Sequence, residues 1–181
     1  PYAHVNVSRM IKTNADGSIS LDHDLLRTVV SSAVHFLDNV VDMHKYIDPF
    51  FEQESKRSRK IGLGVMGFAE LLFTLGISYG SDDSLALIDE LMSIIQEESH
   101  SASHKLACER GSFPQFSSSL WQRPMRNATV TSIAPTGSTS LIAGTSQSIE
   151  PLYALSFTTT TSDGQEFTVL NNAFKNAFES L

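Results

Sequence analysis

Four hydroxyl side chains, Thr136, Ser138, Thr139 and Ser140, cluster around Gly137 directly after Ala134-Pro135 and before Leu141-Ile142-Ala143-Gly144. A β-capable run over residues 128–133 ends at this proline, and the segment beyond it can start a helix. The first turn of a helix leaves backbone N–H groups without intrahelical partners, and the aligned peptide dipoles add partial positive charge there. Phosphate can bind such a place without lysine or arginine. Gly137 allows close backbone approach, and the hydroxyls can donate further hydrogen bonds to phosphate oxygens. Pro135, Thr136, Gly137, Ser138 and Thr139 are therefore the candidate phosphate-binding residues. An ordinary hydroxyl-rich turn with an N-cap has the same composition and is the plain alternative.

Other groups of residues could carry chemistry. Gly62, Gly64 and Gly67 have the glycine spacing of a dinucleotide-binding turn, with a strand before and a helix after. A dinucleotide fold should then reach an acidic ribose ligand at the end of a second strand, and here that distance falls on Asp82 and Asp83 at a helix start. Glycines that let a helix pack closely on a strand are the simpler reading. His100 and His104 lie four apart on an expected helix, but no third ligand is near and Ser101 stands where a zinc protease has its glutamate. No metal site is assigned. Cys108 sits near a helix end beside Glu109, where the dipole and the carboxylate disfavour a thiolate, so it is read as structural. His35, Asp38, Asp42 and His44 could share one helix side, with a solvated face as the default reading. None of the serines occupies a nucleophile turn, and no catalytic residue is assigned.

These residues need elements to hold them. The spacing predicts a strand over residues 2–10 and a turn at Asn14-Ala15-Asp16-Gly17. Leu26, Val29, Val30, Ala33, Leu37, Val40 and Val41 recur at helical spacing from Asp22, and this helix closes near Tyr46, before Pro49. Residues 52–60 form a charged stretch whose basic cluster is Lys56, Arg57, Arg59 and Lys60. A strand over 61–65 feeds a helix over 67–75 that stops at Gly76. Ser81 caps a third helix, with Leu85, Ile88, Leu91, Met92 and Ile95 as its buried stripe, ending at Arg110 before Gly111. After a connection containing Pro114 and Pro124 come the 128–133 strand, the hydroxyl loop and a further strand over 153–160. A turn at Ser162-Asp163-Gly164 leads to a helical pattern of Leu170, Phe174, Ala177, Phe178 and Leu181. Strands separated by helices imply an α/β fold with partly parallel strands.

The chain of 181 residues, 41% hydrophobic and 18% charged, has the length of one domain. Its net charge of −7 offers no basic surface to track a nucleic-acid polymer. No apolar run spans a bilayer, and no basic-then-apolar segment opens the chain, so no membrane association is expected and the location expected is cytoplasmic. A single cysteine cannot form an internal disulfide. Opening on Pro1 and closing on Leu181 within a helical pattern, residues 1–181 read as a fragment of a longer protein.

Four ordered segments resemble a known family: Arg59-Lys60-Ile61-Gly62-Leu63-Gly64-Val65-Met66-Gly67-Phe68-Ala69-Glu70, Leu106-Ala107-Cys108-Glu109-Arg110-Gly111-Ser112-Phe113-Pro114, Arg126-Asn127-Ala128-Thr129, and Ala134-Pro135-Thr136-Gly137-Ser138-Thr139-Ser140. They look like the large catalytic subunit of ribonucleotide reductase, with wording nearest the class II, adenosylcobalamin-dependent branch rather than the di-iron-dependent class. The likeness runs from Ala3-His4-Val5-Asn6-Val7 to Ile149-Glu150-Pro151. It implies an incomplete ten-stranded α/β barrel around a finger loop, with residues 1–181 a piece of the catalytic barrel domain. It also implies that the Pro135 to Thr139 segment holds the substrate's phosphates and that the glycines of 62–67 are not a cofactor fingerprint.

The resemblance further implies an oxidoreductase of deoxyribonucleotide biosynthesis and DNA replication that replaces the ribose 2′-hydroxyl of a ribonucleoside di- or triphosphate with hydrogen. A thiyl radical, generated through cobalt–carbon homolysis of adenosylcobalamin, would abstract the 3′-hydrogen. Two further cysteines would supply electrons, a thioredoxin-type reductant would restore them, and the full-length protein would be a homodimer. The radical and reducing cysteines would lie before Pro1 and beyond Leu181, so the fragment is expected to be inactive alone. Thr158 to Thr161, where a more basic strand end is expected, and Tyr2, where leucine is commoner, depart from the pattern. Two rival readings are an NAD(P)-dependent oxidoreductase built on Gly62, Gly64 and Gly67, and a non-catalytic α/β module whose hydroxyl loop binds nothing.

Overall fold

The computed structural model describes residues 1–160, 164–171 and 173–175. In chain order the elements are β1 (Tyr2–Asn6), a 3-10 turn (Val7–Arg9), β2 (Ile11–Thr13), β3 (Ile19–Leu21), α1 (His23–Met43), α2 (Pro49–Ser58), β4 (Gly62–Met66), α3 (Phe68–Leu75), α4 (Asp82–Arg110), a second 3-10 turn (Phe116–Ser118), α5 (Gly137–Ala143), β5 (Ser156–Thr160) and β6 (Glu166–Leu170). One compact unit gathers Pro1–Val5, Asp22–Gly64 and Leu87–Ala134. A second gathers Asn6–Leu21, Val65–Ala86 and the described residues from Pro135 onward.

In the first unit β1 pairs with β4, and Leu63 makes a parallel bridge to Thr131. The expected strand over 128–133 is therefore reduced to one bridge, flanked by hydrogen bonds from Ile61 N to Thr129 O (3.1 Å) and from Ser132 N to Leu63 O (3.0 Å). The Asp22 carboxylate accepts from Leu25 N at 3.0 Å and starts α1. Leu26, Val30, Val34, Leu37 and Val41 bury its apolar stripe, each at most 1% exposed.

The charged stretch after Pro49, to which the sequence pattern assigned no element, is helix α2: Asp48 caps it, Pro49 fits its first turn, and Glu52–Lys56 (2.6 Å) and Glu54–Arg57 (3.1 Å) pair along its surface. The buried stripe of α4 differs from the expected one. Leu85 is 59% exposed, and the buried face in this unit continues through Leu91 and Ile95 to Ser99, Ala102, Ser103 and Leu106. Small side chains on that face allow close packing, and a count of large apolar residues passes over them.

In the second unit the expected strand over 2–10 stops at Asn6, whose side-chain oxygen accepts from Ser8 N (3.2 Å) and Ser8 Oγ (2.7 Å) and bends the chain into the 3-10 turn. The predicted turn at 14–17 closes an antiparallel hairpin, with Ile11 opposite Leu21 and Thr13 opposite Ile19. Gly67, with φ 81°, and Gly76, with φ 69°, bound α3 in left-handed conformations that favour glycine. β5 and β6 pair antiparallel, Ser156 opposite Leu170 and Thr160 opposite Glu166. Ser162 and Asp163 of the expected turn, and Ala177, Phe178 and Leu181 of the expected last helix, lie outside the described residues. The fold mixes helices with two-stranded sheets, and among the described residues these sheets do not close into a barrel.

Candidate functional site

The hydroxyl loop enters α5 through Thr136, a non-glycine residue in the left-handed region (φ 59°, ψ 22°). Its side chain is buried, and its Oγ1 accepts a 2.8 Å hydrogen bond from Ser148 N, another left-handed non-glycine residue (φ 45°). Thr139 Oγ1 donates to Thr136 O (3.1 Å) and Ser140 Oγ to Gly137 O (3.2 Å). Of the four hydroxyls expected to face a phosphate, only that of Ser138 is both exposed and unpartnered among the described residues. The correction has a local cause: Ser and Thr in the first turn of a short helix readily bond its own carbonyls. The first-turn amides of Gly137, Ser138 and Thr139, by contrast, have no acceptor among the described residues.

Glu70 holds the other end of this segment. Its carboxylate, on the buried face of α3, accepts from Ser146 N at 2.9 Å to both oxygens, from Thr145 Oγ1 at 2.9 Å and from Asn171 Nδ2 at 2.8 Å. Burial alone would push this carboxyl upward, but the hydrogen bonds from Ser146 and Asn171 outweigh it and hold Glu70 below the usual carboxylate range. Gly67 N donates to Ser146 O at 3.0 Å, and Thr145 N to Ser140 O at 3.0 Å. A cavity of about 520 Å³ lies here, lined by Glu70, Gly137, Ser140, Thr145 and Ser146 among others. The Ser146 hydroxyl faces the Glu70 carboxylate.

The glycine triplet serves packing. A Cβ on Gly64 would stand 2.6 Å from Ser132 O, and one on Gly62 would meet the Tyr2 ring at 2.5 Å. On Gly67 it would meet Asn6 Oδ1 at 2.5 Å. Protein atoms occupy the space that a pyrophosphate would need beside these glycines, and Asp82 and Asp83 open α4 rather than end a second strand. The dinucleotide reading has no support in this geometry.

His100 packs edge-to-face on Trp121 with ring centroids 5.0 Å apart, while His104 Nδ1 lies 2.7 Å from Pro124 O, so the two rings have separate engagements. Cys108, expected to be structural, is exposed, with Sγ 3.9 Å from His104 Nε2. The expectation of a solvated face holds for His35, Asp42 and His44 and fails for Asp38, which is fully buried. Arg59 Nη2 (2.7 Å), Arg126 Nε (3.2 Å), Arg110 Nη1 (3.4 Å) and Asn127 Nδ2 (3.0 Å) all converge on its carboxylate. Arg59 also reaches Asp42 at 2.7 Å, and this bond is the chief cause that holds Asp42 below the usual carboxylate range. The overlooked signal was position: Asp38 lies four residues after Val34 and three before Val41, on the apolar stripe of α1.

The family model described as "Ribonucleotide reductase, barrel domain" matches residues 2–125 and 120–181. A protein of Mycobacterium tuberculosis named vitamin B12-dependent ribonucleoside-diphosphate reductase is 50% identical over 156 residues, covering 85% of this chain and 22% of the relative. A protein of the same name from Thermoplasma acidophilum is 43% identical over 186 residues, covering 100% of this chain and 24% of the relative. A ribonucleoside-diphosphate reductase subunit alpha of Chlamydia pneumoniae is 34% identical over 191 residues, covering 83% and 18%. The chain thus spans less than a quarter of the length of these curated relatives.

Proposed function

Because this chain belongs to the ribonucleotide reductase barrel-domain family, we propose that it is part of a vitamin B12-dependent catalytic subunit that reduces ribonucleoside diphosphates to 2′-deoxyribonucleotides. In this reading residues 1–181 form part of the ten-stranded catalytic barrel, and Pro135, Thr136, Gly137, Ser138 and Thr139 hold the substrate's phosphates. The supporting observation is the set of three neighbouring amides, at Gly137, Ser138 and Thr139, that lack acceptors beside an exposed Ser138 hydroxyl. Phosphate oxygens are the acceptors such a set fits best.

The diphosphate is preferred over the triphosphate because the relatives from M. tuberculosis and T. acidophilum are named for it. Adenosylcobalamin would supply the radical in the full-length protein. Relatives from M. tuberculosis and T. acidophilum are named vitamin B12-dependent, which supports this cofactor by resemblance. Cys108 is the single cysteine, and this stretch contributes substrate binding rather than radical or reducing chemistry. A thioredoxin-type reductant, a homodimeric state and a cytoplasmic location complete the reading. Among the described residues no helix is long and apolar enough to cross a membrane.

The test is equilibrium binding of a ribonucleoside diphosphate and of its parent nucleoside to the full-length protein, with Ser138→Ala and Thr136→Val/Ser138→Ala variants. Losing the charge-assisted hydrogen bond of the exposed Ser138 hydroxyl should weaken diphosphate binding by roughly 1.5–3 kcal/mol, and the double variant, which also frees the Ser148 amide from Thr136 Oγ1 and so loosens the loop, should weaken it further, the nucleoside being unaffected in both. Equal diphosphate affinity in all three proteins would remove the phosphate-loop assignment.

A further inference from the structure

Strand β4 places glycine at positions 62 and 64, which alternate with the buried Ile61 and Leu63. It pairs with β1 on one side and bridges to Thr131 on the other, so side chains from both flanks can lie over the two glycines. The Tyr2 ring and Ser132 Oγ stand 2.5 and 2.7 Å from where a Cβ on Gly62 would be, and His4 Cδ2 stands 3.2 Å from that of Gly64. All of these residues belong to the first unit. Glycine on the middle strand thus lets an imidazole from one neighbour and a hydroxyl from the other gather on one face.

These two groups contribute no hydrogen bond to the fold. His4 Nε2 and Ser132 Oγ are buried atoms without a partner among the described residues, although each side chain as a whole is partly exposed. Native proteins seldom leave such atoms unpaired, and two on one face call for a group that completes both. Burial lowers the His4 pKa, which favours the neutral ring with one donor and one acceptor nitrogen. A hydroxyl matches this pair: it can donate to an imidazole lone pair and accept from a serine O–H, whereas an anion can do only the second. Rotation about side-chain torsions alone can turn both atoms toward the open side of the face.

We infer that His4 and Ser132 form a subsite for a sugar hydroxyl, which donates to the imidazole and accepts from the serine. This rests on the reading of the full-length protein as one that takes ribonucleotides, and it does not rest on the phosphate loop. An ordered water offers the same hydrogen bonds, and ligands with and without hydroxyls tell the two apart.

The experiment measures binding of a ribonucleoside and of its 2′,3′-dideoxy counterpart to the full-length protein and to its His4→Phe and Ser132→Ala variants. Thermal unfolding of each protein without ligand accompanies it. The parent should prefer the ribonucleoside by about tenfold, and each variant should reduce that preference to about threefold or less, as loss of one or two neutral hydrogen bonds requires. Affinity for the dideoxynucleoside should stay within about twofold of the parent's. Because neither atom bonds to the described residues, removing it should not lower the melting temperature, which separates a binding role from a structural one. If His4→Phe does not fold, Ser132→Ala, which only deletes an atom, carries the test.

A preference for the ribonucleoside that survives in both folded variants overturns the inference. Equal weakening of both nucleosides also overturns it, since that result assigns the pair to a water or to packing. Ser138→Ala, measured alongside with the ribonucleoside diphosphate, keeps the two claims apart. Diphosphate binding that falls in Ser138→Ala while the hydroxyl preference survives at His4 and Ser132 removes only the subsite; the reverse result supports the subsite and removes only the phosphate loop.

Discussion

Arg59 closes helix α2 in a left-handed conformation, φ 46°, and its guanidinium meets the fully buried carboxylate of Asp38 at 2.7 Å. Burial works against the Arg59 charge, but hydrogen bonds to Asp42 and Asp38 outweigh it and raise the guanidinium's affinity for its proton. Arg110 and Arg126 approach the second oxygen of Asp38 at 3.4 and 3.2 Å, and Asn127 joins Asp38 to the carbonyl of Arg59. One carboxylate thus ties α1, the end of α2, the end of α4 and the 126–127 segment together within the first unit.

Asp38→Asn keeps the shape of that hub and removes its charge, leaving three guanidiniums around a neutral amide. Breaking a buried ion pair from one side costs about 3–5 kcal/mol. Hydrogen exchange on the full-length protein should show lost protection in peptides covering 30–41 and 100–110. Wild-type protection there would contradict the hub's role.

Gly64→Ala and Gly137→Ala should separate steric from helical effects. The first places a methyl 2.6 Å from a backbone carbonyl, and overpacking of this kind costs about 1–3 kcal/mol. The second meets nothing within 4 Å and lies in a helix, where alanine is up to about 1 kcal/mol better than glycine. Thermal unfolding without ligand should fall for the first and hold or rise for the second.

Thr136→Val removes the acceptor for the buried Ser148 amide while keeping the side-chain shape, and an unpaired buried donor costs about 1–3 kcal/mol. Thr136→Ser keeps the oxygen and should behave as wild type. Susceptibility of residues 144–150 to limited proteolysis is the readout, and it should rise for valine alone.

Hydrogen bonds hold the folded-state Glu70 carboxyl below its ordinary range. Its stabilisation is therefore complete above the unfolded-state value, about 4.3 for a glutamate, and fades as the pH falls through the lower folded-state value. Melting temperatures taken from about pH 7 down to about pH 3 should show wild type losing its advantage over Glu70→Gln only on the acid side. A gap that stays constant across that range would contradict the assignment.

Helix ends were legible where single residues carry the signal. Asp22, Gly67, Gly76 and Gly111 mark their boundaries through a cap or a left-handed backbone, and α1, α3 and α4 begin and end close to the expected places. Helix α2 was hidden because its order comes from i, i+3 and i, i+4 charge pairs rather than from an apolar stripe. The loop at 135–139 was found from composition, but the inward turn of Thr136 was not, since its partner lies twelve residues on. Glu70, inside the apolar run Phe68-Ala69-Leu71-Leu72, was the remaining visible anomaly; a charge there needs partners, and the partners lie 75 residues and more away.

Sharing a single anion makes Arg59, Arg110 and Arg126 interdependent across descent. A lineage that loses one arginine changes the balance felt by the other two, so the effect of a second replacement depends on whether the first has already occurred. Such positions are expected to drift as a set, and a homologue that has exchanged Asp38 should carry compensating changes at more than one of the three.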